Sequence, residues 1–209
     1  MEKTIITINR ECGSGGGEIA RLLGDKLGLK VYGRTMLEAV AKHFGITIEE
    51  MDRIKAQKTS WWSEFCNFYQ QYSATGYAPG AIADPTPKSV YYAEERFLRD
   101  LAEKESCIIV GRAGFHIFRD NPNAIHLLLI ADRDARIARI ARKENLTLDE
   151  AAKVVDDVDK ARDNFVESFA ETSRHDARNY HICANITGLE PDTVASFLAE
   201  QIRHKIAKF

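Results

Sequence analysis

The sequence predicts an α/β fold in which helices cover both faces of a parallel sheet, giving three layers. Short apolar, β-branched runs alternate along the chain with longer segments of helical periodicity, as in βαβ units. The run Leu127-Leu128-Leu129-Ile130 is continuously apolar, which is typical of a parallel strand buried on both faces. With 209 residues, the chain is long enough for one large domain, or for one domain with a small appendage.

The first predicted elements are a strand, a glycine-rich loop and a helix, in that order. The strand covers residues 4–8, which are apolar and β-branched. The helix covers residues 18–27, where aliphatic side chains form one stripe and Gly28 is a suitable end. A short second strand is predicted at 30–32.

The middle of the chain is predicted to be mainly helical. Helices are expected at 35–44 and 47–57, the second with Thr47 and Glu50 in the spacing of a capping box. Residues 58–92 combine many aromatic residues with several prolines, which predicts an aromatic helix followed by a loop.

The C-terminal half repeats the alternation of strands and helices. The predicted elements are a helix at 89–104, strands at 107–110 and 125–131, helices at 133–143 and 147–172, a strand at 180–186 and a helix at 190–207.

Composition excludes several classes of protein. Hydrophobic residues make up 44% and charged residues 29% of the chain, which excludes a disordered protein. The net charge of −2 argues against a general nucleic-acid coat, and no apolar run approaches the ~20 residues of a membrane span. The N-terminus lacks the pattern of a signal peptide, and the four cysteines form no CxxC pair. We therefore expect a cytoplasmic protein that binds neither nucleic acid nor membrane.

The glycine-rich segment between the first strand and the first helix predicts a phosphate-binding site. Glycines let the backbone approach an anion closely, and the loop amides converge with the helix N-terminus. The residues expected around the phosphates are Gly13, Ser14, Gly15, Gly16, Gly17 and Glu18. A surface turn is the alternative interpretation of the glycines alone, and their place directly after the first strand favours phosphate.

The loop departs from the standard pattern G-x-x-x-x-G-K-[ST]. When Gly15 is aligned with the second glycine of the pattern, Arg10 occupies the position of the first glycine. Gly16 then occupies the lysine position, and Gly17 occupies the Ser/Thr position. The lysine that reaches the β- and γ-phosphates is therefore missing, as is the hydroxyl that holds magnesium. Arg10 is the nearest cation in sequence and is a candidate catalytic substitute. The dinucleotide fingerprint does not fit either, because Glu18 stands at its third glycine.

Four arginines follow the third buried strand at intervals of three residues: Arg133, Arg136, Arg139 and Arg142. This spacing drifts slowly around a helix, so the guanidiniums share one flank. Arginine is the preferred partner of phosphate oxygens, and an arginine-bearing lid is what a small-molecule kinase needs over its nucleotide. The alternative is a solvated helix face paired with neighbouring carboxylates.

Three further features leave alternatives open. Asp156, Asp159 and Arg162 recur at intervals of three, either on an exposed face with internal ion pairs or pointing into a cleft. The aromatic residues of 61–77 are suited to stacking on a base or, as we favour, to a satellite core or a contact between copies of the chain. The six histidines lack metal-ligand spacing, so we expect no metal held by protein side chains alone.

Together these pieces resemble the cytidylate kinase-like family, a branch of the P-loop nucleoside monophosphate kinases. The resemblance is carried by the segments 6–16, 19–20, 109–112 and 185–187, by the lid arginines and by the triplet Asp156, Asp159 and Arg162. It implies a three-layer P-loop kinase core in a single domain 1–209, with a helical acceptor-binding insertion at 35–92 and a lid at 133–165.

The resemblance also implies a reaction. The family is named for transfer of the γ-phosphoryl group of ATP to CMP or dCMP with Mg²⁺. By position, the glycine loop would cradle ATP, Arg136 and Arg139 would act from the lid, and the acceptor would be bound by Arg34, Arg112, Asp159 and Arg162. Two hypotheses stay open: an ATP-dependent kinase, favoured by the retained arginines, and a nucleotide-binding module without chemistry, favoured by the missing lysine.

Overall fold

The computed structural model describes residues 3–33, 87–170 and 172–206. The chain divides into two compact units, one of residues 1–33 and 102–209 and the other of residues 34–101. The predictions that fall on 34–86 lie outside the described residues; they are the helices at 35–44 and 47–57, the aromatic segment up to residue 86 and Arg34. The single domain with an insertion and a lid stays a prediction.

Among the described residues, five parallel strands form one sheet. Their bounds are β1 Ile5–Arg10, β2 Lys30–Tyr32, β3 Cys107–Val110, β4 Ala124–Ile130 and β5 Ile182–Asn185. Their order is β2-β3-β1-β4-β5, so the central β1 pairs with β3 on one side and β4 on the other. The predicted parallel α/β sheet is confirmed. Because all strands run the same way, the loops after β1 and β3 emerge at a common edge, where α/β folds place their ligands.

Helices of the unit formed by residues 1–33 and 102–209 flank this sheet on both faces. The helices of the described residues are α1 Gly16–Leu27, α2 Pro87–Lys104, α3 Gly114–Ile117, α4 Arg133–Glu144, α5 Leu148–Ala170 and α6 Pro191–Ile206, with a 3-10 turn at Ala177–Asn179. A large apolar cluster joins the sheet to α1 and α6 and buries Ile6, Ile8, Leu23 and Leu198 completely. On the other face, α3 approaches β1 closely, and a Cβ at Gly114 would lie 3.2 Å from the Thr7 side chain. Each buried aliphatic side chain contributes roughly 1.5–3 kcal/mol, so the core anchors the strand that carries the glycine loop.

The observed elements differ from the predicted ones mainly at their ends. β1 continues two residues past 4–8 because Asn9 and Arg10 pair in register with β4. α1 begins at Gly16 rather than at residue 18, because the preceding Gly15 takes a left-handed conformation that starts the helix. The sequence did not predict α3 or the 3-10 turn, which are too short for a helical periodicity. None of the described helices is long and apolar enough to cross a membrane.

His126 of β4 makes stability depend on pH. Its side chain is buried, and its Nδ1 lies 2.8 Å from the hydroxyl of Thr7. Burial, followed by the charges of His181 and Lys205, lowers the pKa of His126 from 6.5 to about 4. Below pH 6.5 the unfolded chain therefore binds a proton that the folded chain excludes. The neutral, buried His126 therefore contributes about 3 kcal/mol to the free energy of unfolding above pH 6.5, relative to acid pH. This contribution is lost as the pH falls to 4.

We expect His126→Gln to flatten the decline in the free energy of unfolding between pH 6.5 and 4.5, as measured by urea denaturation. The matched control is His204→Gln, because His204 is exposed. A His126→Gln slope equal to that of the unsubstituted chain would contradict this assignment.

Candidate functional site

The candidate site lies where two loops from adjacent strands meet at the C-terminal edge of the sheet. Residues 11–15 follow β1 and residues 111–113 follow β3. The amide of Gly111 donates to the main-chain oxygen of Ile8 over 2.9 Å, and the guanidinium of Arg10 lies against Gly111. The end of β1 therefore fixes both loops beside each other.

The glycine loop has the geometry of an anion cradle. Gly13 and Gly15 have φ of 77° and 90°, and a Cβ at Gly13 would lie 2.6 Å from the main-chain oxygen of Arg136. The amide of Gly16 donates to the hydroxyl of Ser14 over 3.3 Å. Within the described ranges, the amides of Gly13, Gly15 and Gly17 have no hydrogen-bond acceptor. Three unpaired amides at a helix N-terminus are the donors that a phosphate requires.

Arg139 of α4 brings a guanidinium to this loop. A Cβ at Gly15 would lie 2.6 Å from Arg139 Nη1, so the guanidinium rests directly on the loop. The same Nη1 lies 3.5 Å from a carboxylate oxygen of Glu18, and the Arg139 side chain remains 38% exposed. Gly16, at the position of the missing lysine, is the next residue in the chain. Arg139 thus places positive charge against Gly15, the residue directly before the position of the missing lysine.

Arg136 and Asp159 form a buried ion pair that holds the loop. Arg136 Nη1 donates to Asp159 Oδ2 over 2.5 Å and to the main-chain oxygen of Cys12 over 3.1 Å. Asp159 Oδ1 accepts from the amide of Cys12 over 2.9 Å. The two side chains are 10% and 15% exposed. The pair therefore ties Cys12 to α4 and α5, and a catalytic role for Arg136 or an acceptor contact for Asp159 stays a prediction.

The other arginines of α4 lie at the surface. Arg133 forms an exposed ion pair with Asp156 at 2.7 Å, which matches the solvated-face alternative for these two residues. Arg142 is also exposed. The interval of three residues therefore brings together only part of the predicted cluster, because a helix turns 100° per residue and three steps fall 60° short of a full turn.

A cavity of about 40 Å³ adjoins the ends of β1 and β3. Four arginines line it: Arg10, Arg112, Arg162 and Arg174. Within the described part of the chain, no Asp or Glu lines it. Burial, together with the charges of the other three arginines, lowers the pKa of Arg10 to about 9. The cavity is therefore a site of concentrated positive charge.

The turn that presents Arg112 to this cavity is strained. Gly111, Arg112 and Ala113 have successive φ values of 80°, 59° and 49°. The left-handed region costs a residue with a side chain roughly 1–2 kcal/mol. Such strain persists where the surrounding structure holds it, and it clusters at ligand-binding positions. The strain at Arg112 supports a binding role for this turn.

Arg10 contributes to the cavity rather than to the lysine position. Its Cβ comes within 2.8 Å of the place where a Cβ of Gly16 would lie, but its guanidinium extends to Gly111. Its predicted catalytic role stays a prediction. Arg174, by contrast, was missed by the sequence analysis. It lies in the link between α5 and the 3-10 turn, where it has no periodic relation to the other arginines and no motif marks it.

The described residues were also compared with what a metal ion requires of its ligands. Across residues 3–33, 87–170 and 172–206, no three His, Cys, Asp or Glu side chains come together as a group that could hold a metal ion.

Comparisons with known proteins agree with this geometry. A cytidylate kinase from Thermoplasma acidophilum is 23% identical over 199 residues, covering 94% of this chain and 91% of that protein. An uncharacterised protein from Eubacterium ventriosum has a similar structure, with a TM-score of 0.71, 25% identity and coverage of 96% and 99% of the two chains. Shikimate kinase from Acinetobacter baumannii, solved with shikimate, shares the fold at a TM-score of 0.53 and 13% identity, covering 97% and 94%. The sequence model of the cytidylate kinase-like family matches residues 5–188, and the chain belongs to that family.

Proposed function

We propose that this protein transfers the γ-phosphoryl group of ATP to a nucleoside monophosphate, with CMP or dCMP as the acceptor. Its family supports phosphoryl transfer of the nucleotide-kinase type. The observation that carries the proposal is that two groups of potential anion donors lie at neighbouring strand ends. One is the glycine loop, where three amides have no acceptor among the described residues, and the other is the arginine-lined cavity.

Each of the two sites binds one of the two substrates. ATP phosphates lie on the amides of Gly13, Gly15 and Gly17, and Arg139 covers the transferred group from α4. The acceptor phosphate lies in the cavity with Arg112 and Arg162. An acceptor oxygen attacks the γ-phosphorus, the bond to the β,γ-bridging oxygen breaks, and ADP leaves with the electron pair. Catalysis of this kind consists of positioning and charge neutralisation, which loop amides and guanidiniums supply.

Magnesium would bind at this site together with the phosphates of the nucleotide. Glu18 occupies the first turn of α1, is 53% exposed and lies beside Arg139, so it is an oxygen donor within reach of the loop. Mg²⁺ keeps several waters and usually takes one or two carboxylates plus substrate phosphates. When bound, it would neutralise charge on the β- and γ-phosphates.

CMP and dCMP are chosen as acceptors from the family resemblance and from the name of the Thermoplasma acidophilum relative. The insertion at 35–92 is expected to bind the acceptor, and Arg34, the residue directly before it, is a further expected acceptor contact. The cytoplasmic location and the absence of nucleic-acid and membrane partners stay predictions.

A coupled assay that follows ADP release tests the proposal. ATP and Mg²⁺ are supplied with CMP, dCMP, UMP, AMP or GMP, and we expect turnover with the cytidine nucleotides. ATP binding without turnover of any acceptor would overturn the kinase proposal. It would favour a nucleotide-binding module instead, which is the function suggested by Gly16 at the lysine position.

A further inference from the structure

Arg10 ends β1 with a guanidinium that has no partner among the described residues. The main chain of Arg10 is bonded, because its amide donates to Asn9 Oδ1 over 2.9 Å and its oxygen accepts from Arg162 over 3.1 Å. The guanidinium itself forms no hydrogen bond and no ion pair with any residue of the described ranges. A partly buried cation without a counterion destabilises a fold.

Like charges add to this cost. Three other arginines line the same cavity: Arg112, Arg162 and Arg174. Burial, followed by the charges of Arg162, Arg112 and Arg174, lowers the pKa of Arg10 to about 9. A lowered pKa means that the folded chain disfavours the protonated form. Carboxylates pair with Arg162 and Arg174, so Arg10 is the cation that these ion pairs leave uncompensated.

Two glycines leave the space in which the Arg10 side chain lies. A Cβ added at Gly16 would lie 2.8 Å from the Cβ of Arg10 and 3.0 Å from its Cγ. A Cβ added at Gly111 would overlap Nη1 of the same side chain. The stem of Arg10 therefore lies against the first residue of α1, and its guanidinium lies against the turn after β3. This places the cation between the glycine loop and the cavity that it lines.

The contact with Gly16 explains why the loop has no lysine. Gly16 has no left-handed φ, unlike Gly13 and Gly15, so its backbone would accept a side chain. The obstacle is Arg10, because its Cβ is fixed to the main chain of β1 and cannot turn aside. The standard pattern has glycine at the position of Arg10 and lysine at the position of Gly16. This chain has exchanged the two residue types, so that the cation comes from the end of β1.

The size of the cavity indicates which anion would meet this cation. At roughly 10–15 Å³ for each water, 40 Å³ holds about three waters, which is the scale of one phosphoryl group. A whole nucleoside needs a pocket of about 300 Å³ or more. A phosphoryl group would give Arg10 the counterion that the described residues do not supply.

We infer that Arg10 binds an oxygen of the phosphoryl group that passes between the two sites, and that its stem excludes a side chain at residue 16. The inference rests on the proposed function for the identity of that group. Arg139 meets the group from α4, on the side of ATP, and Arg10 meets it from β1, on the side of the acceptor. Charge on the oxygens of a transferred phosphoryl group is what such cations neutralise.

Arg10→Met separates the charge from the stem, because Met keeps Cβ and Cγ but carries no cation. The probe is inorganic phosphate, titrated calorimetrically into protein saturated with ADP, which occupies the glycine loop. We expect Arg10→Met to bind phosphate about 10- to 100-fold more weakly, since a charged hydrogen bond is lost. Its Tm should not fall, because an uncompensated cation is removed. The matched control, Arg178→Met, should leave phosphate affinity unchanged, because Arg178 is 89% exposed and pairs with Asp176.

Unchanged phosphate affinity in Arg10→Met would overturn the inference at any Tm, as would an ADP complex of the unsubstituted protein that binds no phosphate. If Arg10→Met fails to fold, NMR of the unsubstituted ADP complex decides: phosphate should shift the Arg10 Nε–H signal, and an unmoved signal overturns the inference. Phosphate binding that depends on Arg10 without turnover of any nucleotide would support this inference while overturning the proposed function. Turnover of CMP that Arg10→Met leaves intact would do the reverse.

Gly16→Ala and Gly17→Ala test the steric part of the inference. Both residues lie in the first turn of α1 without a left-handed φ, but a Cβ at Gly17 would meet no heavy atom within 4 Å outside its own helix. We expect Gly16→Ala to lower Tm and Gly17→Ala to leave it unchanged or raise it. In an Arg10→Gly background, which removes the obstructing Cβ, Gly16→Ala should no longer lower Tm. Equal Tm values for the two alanine variants, or a loss that persists in that background, would overturn the steric assignment.

Discussion

Replacing Asp159 by Asn should lower the free energy of unfolding by about 3–5 kcal/mol, the usual cost of removing one partner from a buried ion pair. Asp159 bonds to Arg136 at 2.5 Å and lies within 3.5 Å of Arg162 and 3.3 Å of Arg174. The isosteric amide preserves shape but leaves these cations without their shared anion. For a chain of this size, the loss corresponds to a fall in Tm of roughly 6–20 °C.

Asp156→Asn is the matched control, because Asp156 lies on the same helix and also pairs with an arginine. That pair with Arg133 is exposed, with side-chain exposures of 51% and 57%, and exposed pairs contribute about 0–1 kcal/mol. Urea denaturation of both variants measures the difference. Equal stability of Asp159→Asn and Asp156→Asn would contradict the buried ion pair as the anchor of the glycine loop.

Replacing Arg139 by Gln should lower kcat about 10³-fold, because a guanidinium that stabilises transition-state charge contributes 10³–10⁵ in phosphoryl transfer. Arg139 rests on Gly15, beside the vacant lysine position at Gly16. ATP affinity should change much less than kcat if the guanidinium acts mainly on the transition state. The Arg139 side chain is partly exposed, so Tm should be nearly unchanged.

Arg142→Gln is the matched control for Arg139→Gln. Arg142 lies three residues further along α4 and is exposed, so kcat should remain near that of the unsubstituted protein. Steady-state kinetics with ATP and the cytidine nucleotides provide the comparison. A similar small effect in both variants, or equal losses in kcat and ATP affinity for Arg139→Gln, would show that Arg139 does not replace the lysine.

The parallel sheet could be predicted from the sequence because the patterns that indicate it lie within short stretches of the chain. Buried strands, such as the run in β4, are continuous apolar segments, and the helices carry a stripe of apolar residues. The glycine loop was recognisable for the same reason, since its glycines lie together between β1 and α1. Features of this kind depend on neighbours in the chain, so periodicity and spacing reveal them.

The partners of individual arginines could not be predicted from spacing. Arg136 and Arg139 lie three residues apart on one helix, yet one is buried against Asp159 and the other rests on the glycine loop. Arg174 reaches the main-chain oxygen of Arg10 across 164 residues of sequence. These roles follow from tertiary packing, which brings β1, α4 and α5 together at one edge of the sheet.

The most direct test of the central claim, that loop amides bind nucleotide phosphates, is an NMR titration of the ¹⁵N-labelled protein with ATP and Mg²⁺. The amide signals of Gly13, Gly15 and Gly17 should shift together and saturate with the same Kd. The signal of Gly28, at the far end of α1, should stay in place. Saturable binding that leaves the three loop amides unmoved would contradict the account, because the nucleotide would then occupy another site.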